Sequence, residues 1–79
     1  MEYAALLFHE YRHAWQYNSG KYDKWSNLYK MTPYSNGYED LMERDAYWFQ
    51  IQMGAGSFFE AYSRYEDFRK KTGYIKLPY

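Results

Sequence analysis

Two histidines and a glutamate stand at a spacing that suits zinc chemistry. They belong to the stretch His9-Glu10-Tyr11-Arg12-His13, which has the pattern H-E-x-x-H and contains both histidines of the 79-residue chain. If this stretch is helical, His9 and His13 lie one turn apart on one face, where two imidazoles can bind a single Zn²⁺. Glu10 then lies beside the pair, in position to accept a proton from a zinc-activated water. The spacing predicts a zinc site with a general base next to it.

A catalytic zinc generally has three protein ligands and a water, so the histidine pair needs one more ligand. The chain has no cysteine, so this ligand must bind through nitrogen or oxygen. Glu43 is the predicted third ligand, because it lies at the edge of the apolar stripe of a later helix. Glu39, one turn earlier, is the alternative ligand or an acceptor for a histidine N–H. Asp40 and Asp45 are predicted to be solvated.

The histidine helix and the segment after it can be delimited from turn signals. The helix is predicted over residues 2–18 and ends before Gly20, which can adopt the left-handed conformation that terminates helices. Residues 19–37 contain Pro33 and several polar residues, so they are predicted to form a loop with one short helical turn around residues 23–29. Such a long ordered loop would pass near the metal.

Two further helices are predicted, a glutamate helix over residues 38–53 and a third helix over residues 57–72. Both open with a capping box, in which a small polar residue is followed three residues later by Glu, as in the pairs Asn36 with Glu39 and Ser57 with Glu60. Gly73 is a plausible end for the third helix. The sequence therefore predicts an all-α fold, a single domain over residues 1–79 with three helices.

Each predicted helix carries an apolar stripe, and these stripes are expected to form the core. In the first helix the stripe lies opposite the histidines, so the histidines are not needed in the core. Aromatic residues make up 25% of the chain and compensate for its shortage of aliphatic residues. The stripes consist of Tyr3, Ala4, Leu7, Phe8, Tyr11, Ala14 and Trp15, then Met42, Ala46, Phe49 and Met53, then Phe58, Ala61, Tyr62, Tyr65 and Phe68.

Charge and hydropathy exclude several classes of partner. The formal net charge is zero, so no basic surface indicates binding to nucleic acid or to an anionic membrane. No apolar run is long enough to span a membrane, and the first residues do not resemble a secretory signal. The chain is therefore expected to be cytoplasmic. Its tyrosine-rich composition also suits protein binding, and the oligomeric state is left open.

Two stretches of the chain resemble a known family. Residues 8–16, with the sequence FHEYRHAWQ, and residues 43–49, with the sequence ERDAYWF, are similar to the active-site helix and the glutamate helix of gluzincin-type zinc metallopeptidases. The similarity is greatest to the very short members, whose second motif is Glu-x-x-Ala followed by aromatic residues. It covers approximately residues 4–50, and H-E-x-x-H is its specific part.

The resemblance implies a role for each candidate residue. His9, His13 and Glu43 would be the zinc ligands of an enzyme that cleaves a peptide or protein substrate. Zinc would polarise the scissile carbonyl, while Glu10 would deprotonate the attacking water and pass the proton to the leaving amine. A donor for the oxyanion is also required, and three tyrosines are open candidates, namely Tyr34, Tyr38 and Tyr47. Many members of the family have a hydrogen-bonding Asp one turn after the third ligand, where this chain has Tyr47.

Three hypotheses follow from these patterns. In a metallopeptidase the metal and Glu10 are both required for cleavage. In a non-catalytic zinc protein the metal binds with similar affinity but no peptide is cleaved. In an aromatic-rich interaction module the histidines are incidental, and replacing His9 leaves stability and binding unchanged.

Overall fold

Four helices form the part of the chain that the computed structural model describes, which comprises residues 3–30 and 39–77. They are α1 (Tyr3–Asn18), α2 (Lys21–Lys30), α3 (Glu39–Met53) and α4 (Phe58–Lys71). Helix α3 packs against the other three and is the centre of the fold. No strand occurs within these ranges, so the predicted all-α class is confirmed. None of these helices is long and apolar enough to cross a membrane.

The predicted count of three helices was wrong, because α2 occupies ten residues of the segment that was predicted to be a loop with one short helical turn. Gly20 both ends α1, with φ at +80°, and begins α2, because its carbonyl accepts the N–H of Lys24. No Gly or Pro interrupts the next ten residues, and Trp25 is completely buried. Burial of this indole stabilises a helix that turn signals alone did not reveal. The remaining residues of the predicted loop, 31–37, lie outside the described residues.

The boundaries of α3 and α4 lie within one residue of the predicted bounds. The Ser57 side chain accepts the backbone N–H of Glu60 and caps α4, as predicted. Gly73 has φ at +64°, and the N–H of Tyr74 returns to the carbonyl of Arg69, which satisfies an end carbonyl of the helix. The other predicted capping box includes Asn36, which lies outside the described residues.

Helix α1 is rotated relative to the predicted orientation. Its predicted core face is largely exposed, with Leu7 at 52% and Tyr11 at 62% exposure. The buried residues of α1 are Ala5, His9 and Gln16, which lie on the histidine face. This face contacts α3 because its polar groups find hydrogen-bonding partners there, which removes the penalty for burying them. The prediction that the histidines are not needed in the core was therefore wrong for His9.

The apolar core lies between α2, the start of α3 and the segment after α4. Trp25, Leu41, Met42 and Leu77 form a buried cluster, against which three partly buried side chains pack, namely Trp15, Tyr22 and Ile75. The predicted stripes of α3 and α4 are buried only in part. Met42, Ala46 and Ala61 are buried, whereas Met53, Phe58 and Tyr62 are exposed.

Candidate metal centre

Three side chains from two helices converge between α1 and α3. The Nε2 atom of His13 lies 2.6 Å from Oε1 of Glu43. The Nε2 atom of His9 lies 3.3 Å from Oε2 of the same carboxylate. One ligand atom from each residue lies within 4.8 Å of the other two. The structure thus brings His9, His13 and Glu43 close together, as a shared metal ion requires.

The separation of one pair of these atoms matches that of two ligand atoms on a tetrahedral zinc. With bonds of about 2.0 Å, a tetrahedral Zn²⁺ holds its ligand atoms about 3.3 Å apart. The separation of His9 from Glu43 already has this value. The shorter separation of His13 from Glu43 has the length of a charge-assisted hydrogen bond. If a metal ion replaced that bridging proton, Nε2 of His13 and Oε1 of Glu43 would have to move apart by roughly 0.7 Å.

On the side away from Glu43, His9 contacts an amide and an aromatic ring. Its Nδ1 lies 2.6 Å from Oε1 of Gln50, and its ring centroid lies 4.6 Å from that of Tyr47. When Nδ1 donates to this amide oxygen, Nε2 is the nitrogen that faces Glu43, and it can bind a metal once it is unprotonated. Sequence reasoning missed Gln50, although its position two turns after Glu43 places both side chains on one face of α3.

His13 is oriented by a second amide, that of Gln16. The Nε2 of Gln16 donates to the Met42 carbonyl and to Oδ2 of Asp45, both at 2.9 Å. Since both of these partners are acceptors, the Oε1 of Gln16 is the atom that faces Nδ1 of His13, at 2.8 Å. This arrangement places a proton on Nδ1 of His13 and leaves Nε2 as the nitrogen that can bind a metal. Sequence reasoning did not identify Gln16, which lies one turn after His13.

Asp45 is completely buried, so the prediction that it is solvated was wrong. Its two carboxylate oxygens accept from Nε and Nη2 of Arg12, at 2.7 and 3.1 Å. The Arg12 guanidinium also lies over the Trp15 ring, 3.9 Å from its centroid. The ion pair compensates the burial of both charges and holds Asp45 where it can also accept from Gln16. A helical wheel did not reveal this partner because Arg12 lies on a different helix.

Glu10 lies on the open side of the centre. It is exposed and shares a cleft of about 450 Å³ with His13 and Glu43. The alternative ligand Glu39 also lines this cleft but is not part of the three-residue cluster. The remaining lining residues are Tyr17, Tyr22 and Met42. A peptide that entered this cleft would therefore meet His13, Glu43 and the Glu10 carboxylate together.

Of the three tyrosines considered as oxyanion donors, only Tyr47 is among the described residues. It is buried, and its ring packs against those of His9 and Phe68. Burial and the nearby Glu43 charge raise the pKa of the Tyr47 hydroxyl. Tyr34 and Tyr38 lie outside the described residues.

Glu43 and His13 shift each other's pKa in opposite directions. Hydrogen bonds from His13 and then His9 lower the pKa of the Glu43 carboxyl to about 2. The hydrogen bond to Glu43 raises the pKa of the His13 imidazole, although burial acts in the opposite direction. Without metal, this hydrogen bond favours a protonated His13 beside an ionised Glu43 carboxylate. A metal ion must displace that proton, so metal affinity should fall as the pH is lowered.

We expect the stability of the metal-free protein to depend on pH through this pair. The contribution of Glu43 is complete above its usual pKa of 4.5 and is lost as the pH falls towards 2. The contribution of His13 is complete below its usual pKa of 6.5 and is lost as the pH rises through its raised pKa. The stabilisation should be greatest between pH 4.5 and 6.5. Thermal melts in a chelator from pH 3 to 9 measure it. Glu43→Gln should weaken the dependence of the melting temperature on pH. Identical pH profiles for the wild type and this variant would contradict the prediction.

The assignment of this site rests on its geometry. Residues predicted from the H-E-x-x-H pattern and from the later glutamate lie together on two packed helices. Their roles as ligands and as a base remain predictions. No protein-family model matches the chain, and no curated protein or solved structure is significantly similar to it.

Proposed function

We propose that this protein is a zinc-dependent metallopeptidase that hydrolyses peptide bonds in a peptide or protein substrate. The observation that carries the proposal is the convergence of His9, His13 and Glu43 beside an open cleft that also contains Glu10. The set of two imidazoles and one carboxylate is typical of catalytic zinc, with a coordination position left for water or substrate. The gluzincin resemblance supports the same assignment.

In this proposal, some residues of the centre bind the metal and another transfers the proton. His9, His13 and Glu43 would hold the zinc, while Gln50 and Gln16 keep the two imidazoles in the tautomer that binds through Nε2. When bound, zinc supplies a Lewis acid that polarises a carbonyl and lowers the pKa of water. Glu10 accepts the proton of the attacking water at its carboxylate and returns it to the leaving amine. Its exposure leaves it free to face a substrate in the cleft.

Zinc content distinguishes a metal centre from a purely hydrogen-bonded cluster. We expect about one zinc per chain in the wild type, and an affinity at least about 100-fold weaker in Glu43→Gln, because a neutral amide is a poor zinc ligand. Glu39→Gln is the matched control, since Glu39 lines the same cleft outside the cluster and should retain the wild-type affinity. Mass spectrometry and competition with a chromogenic chelator provide the measurement. Equal affinities in all three proteins would overturn the site.

Cleavage of a mixed library of fluorogenic peptides tests the enzymatic part of the proposal. The zinc-loaded protein should cleave members of the library, a chelator should stop the cleavage, and added zinc should restore it. Zinc binding at full stoichiometry without cleavage of any peptide would reject the metallopeptidase and leave a zinc protein without catalytic activity.

A non-catalytic zinc protein is the second candidate, and the burial of His9 between α1 and α3 favours it. A metal bound by both helices would join α1 to the centre of the fold and stabilise it by mass action. Zinc would then raise the melting temperature of the wild type but would not support hydrolysis. The peptide library separates this candidate from the enzyme.

A further inference from the structure

An open apolar groove runs between α1 and α3 on a part of the surface that the candidate metal centre does not use. Its volume is about 710 Å³. Leu7, Tyr11 and Met53 line it and are 52%, 62% and 50% exposed. The other residues of the groove are Ala4, Phe8, Arg12, Trp15 and Phe49. A contiguous apolar face of this kind on a small domain indicates a binding surface rather than scattered exposed residues.

The groove carries no uncompensated charge. Arg12 is its one charged lining residue, and Asp45 holds that guanidinium through two hydrogen bonds. The aromatic walls also contact the guanidinium, which lies 3.9 Å from the Trp15 centroid and 4.9 Å from that of Phe49. An occupant therefore needs an apolar surface and no charge of its own. The same face of a second copy meets this requirement, and the zero net charge of the chain adds no general repulsion between copies.

We propose that this face mediates formation of a two-fold symmetric homodimer. Leu7 and Tyr11 are four residues apart on α1, so the wall of the groove that they form projects as a ridge along this helix. Ridge and groove belong to one surface, so a two-fold axis allows each copy to place its ridge in the groove of the other. The cleft that contains Glu10 shares no lining residue with the groove and stays open in such a dimer.

The exposed area is sufficient for a weak specific dimer. A large side chain contributes about 200 Å² when fully exposed, so Leu7, Tyr11 and Met53 contribute roughly 100–130 Å² each. With the partly exposed residues of the groove, each copy presents about 500 Å² and a dimer would bury about 1,000 Å², the lower limit for a specific interface. We therefore expect a reversible dimer with a Kd on the order of micromolar to tens of micromolar.

Sedimentation equilibrium of the full chain from 1 to 500 µM tests the proposal. The wild type should convert from monomer to dimer over this range. Leu7→Glu should weaken the dimer by at least about 100-fold, because it places a carboxylate in the middle of the interface. Phe59→Glu is the matched control, since Phe59 is 85% exposed on α4 and does not line the groove, and its dimer should be unchanged. A wild type that stays monomeric, or equal weakening by both substitutions, would overturn the proposal.

Crosslinking provides a second measurement that does not depend on how well a charged variant folds. The chain has no cysteine, so one introduced thiol reports a single position. With a short bismaleimide, Leu7→Cys or Tyr11→Cys should give a covalent dimer, and Phe59→Cys should remain monomeric. Equal crosslinking at all three positions would indicate non-specific association and would also overturn the proposal. Neither measurement involves zinc, so the outcome is independent of the proposed function.

Discussion

Replacing Glu10 with glutamine should reduce peptide cleavage by about 100- to 10,000-fold and leave zinc affinity within a few-fold of the wild type. The substitution keeps the size of the side chain but removes its capacity to accept a proton. Glu10 lies outside the cluster of ligand atoms, so its carboxylate is not needed to hold the metal. Its exposure also makes a large effect on folding unexpected.

Single-turnover cleavage of one responsive peptide, together with zinc competition, measures the two effects separately. Glu39→Gln is the matched control, because this acid lines the same cleft and its replacement should leave the rate within about threefold of the wild type. If Glu10→Gln keeps more than about a tenth of the activity, another group must act as the base. If it loses zinc and activity together, Glu10 would be a ligand rather than a proton acceptor.

The second large effect is expected at Asp45, which is completely buried and far less conspicuous in the sequence. Asp45→Ala should lower the free energy of unfolding by about 3–5 kcal/mol, because it leaves the Arg12 charge largely buried and unpaired. The Gln16 amide also loses one of its two acceptors. A domain of this length has a total stability of only about 4–12 kcal/mol, so the variant should be close to unfolding at 37 °C.

Urea and thermal unfolding of the metal-free protein measure this effect, and the melting temperature should fall by at least about 15 °C. Asp67→Ala is the control, since Asp67 is an exposed acid of α4 and its removal should cost no more than about 0.5 kcal/mol. The double substitution Arg12→Met with Asp45→Leu should recover much of the stability, because no unpaired buried charge remains. Equal loss in Asp45→Ala and Asp67→Ala would show that the ion pair contributes little.

Local sequence determined the ends of the helices and the residues capable of chemistry. Ser57 caps α4, and Gly20 and Gly73 adopt positive φ values where helices end, because these preferences depend on a few neighbouring residues. The spacing of His9 and His13 likewise follows from the period of one helix. Local signals predicted only one short helical turn where α2 lies, because the burial that stabilises the full helix depends on distant residues around Trp25.

The rotation of α1 was decided by tertiary contacts. Its sequence offers an aromatic face and a face with His9, Arg12 and Gln16, and apolar periodicity favours burial of the aromatic one. The polar face is buried instead, because α3 supplies Glu43, Asp45 and Gln50 as hydrogen-bonding partners. Those partners are more than 25 residues away along the chain, and a helical wheel contains no information about them.

The sequence by itself therefore determined that the chain is helical, that two histidines share one helical face and that a later helix carries a carboxylate able to join them. Only the tertiary structure decided that Glu43 rather than Glu39 meets the histidines, and that the amides of Gln50 and Gln16 lie at their Nδ1 atoms. The physical reason is the distance along the chain over which each interaction acts. Helix periodicity depends on residues within a turn or two, whereas the choice of a polar partner depends on which helices pack together and on the satisfaction of every buried polar group.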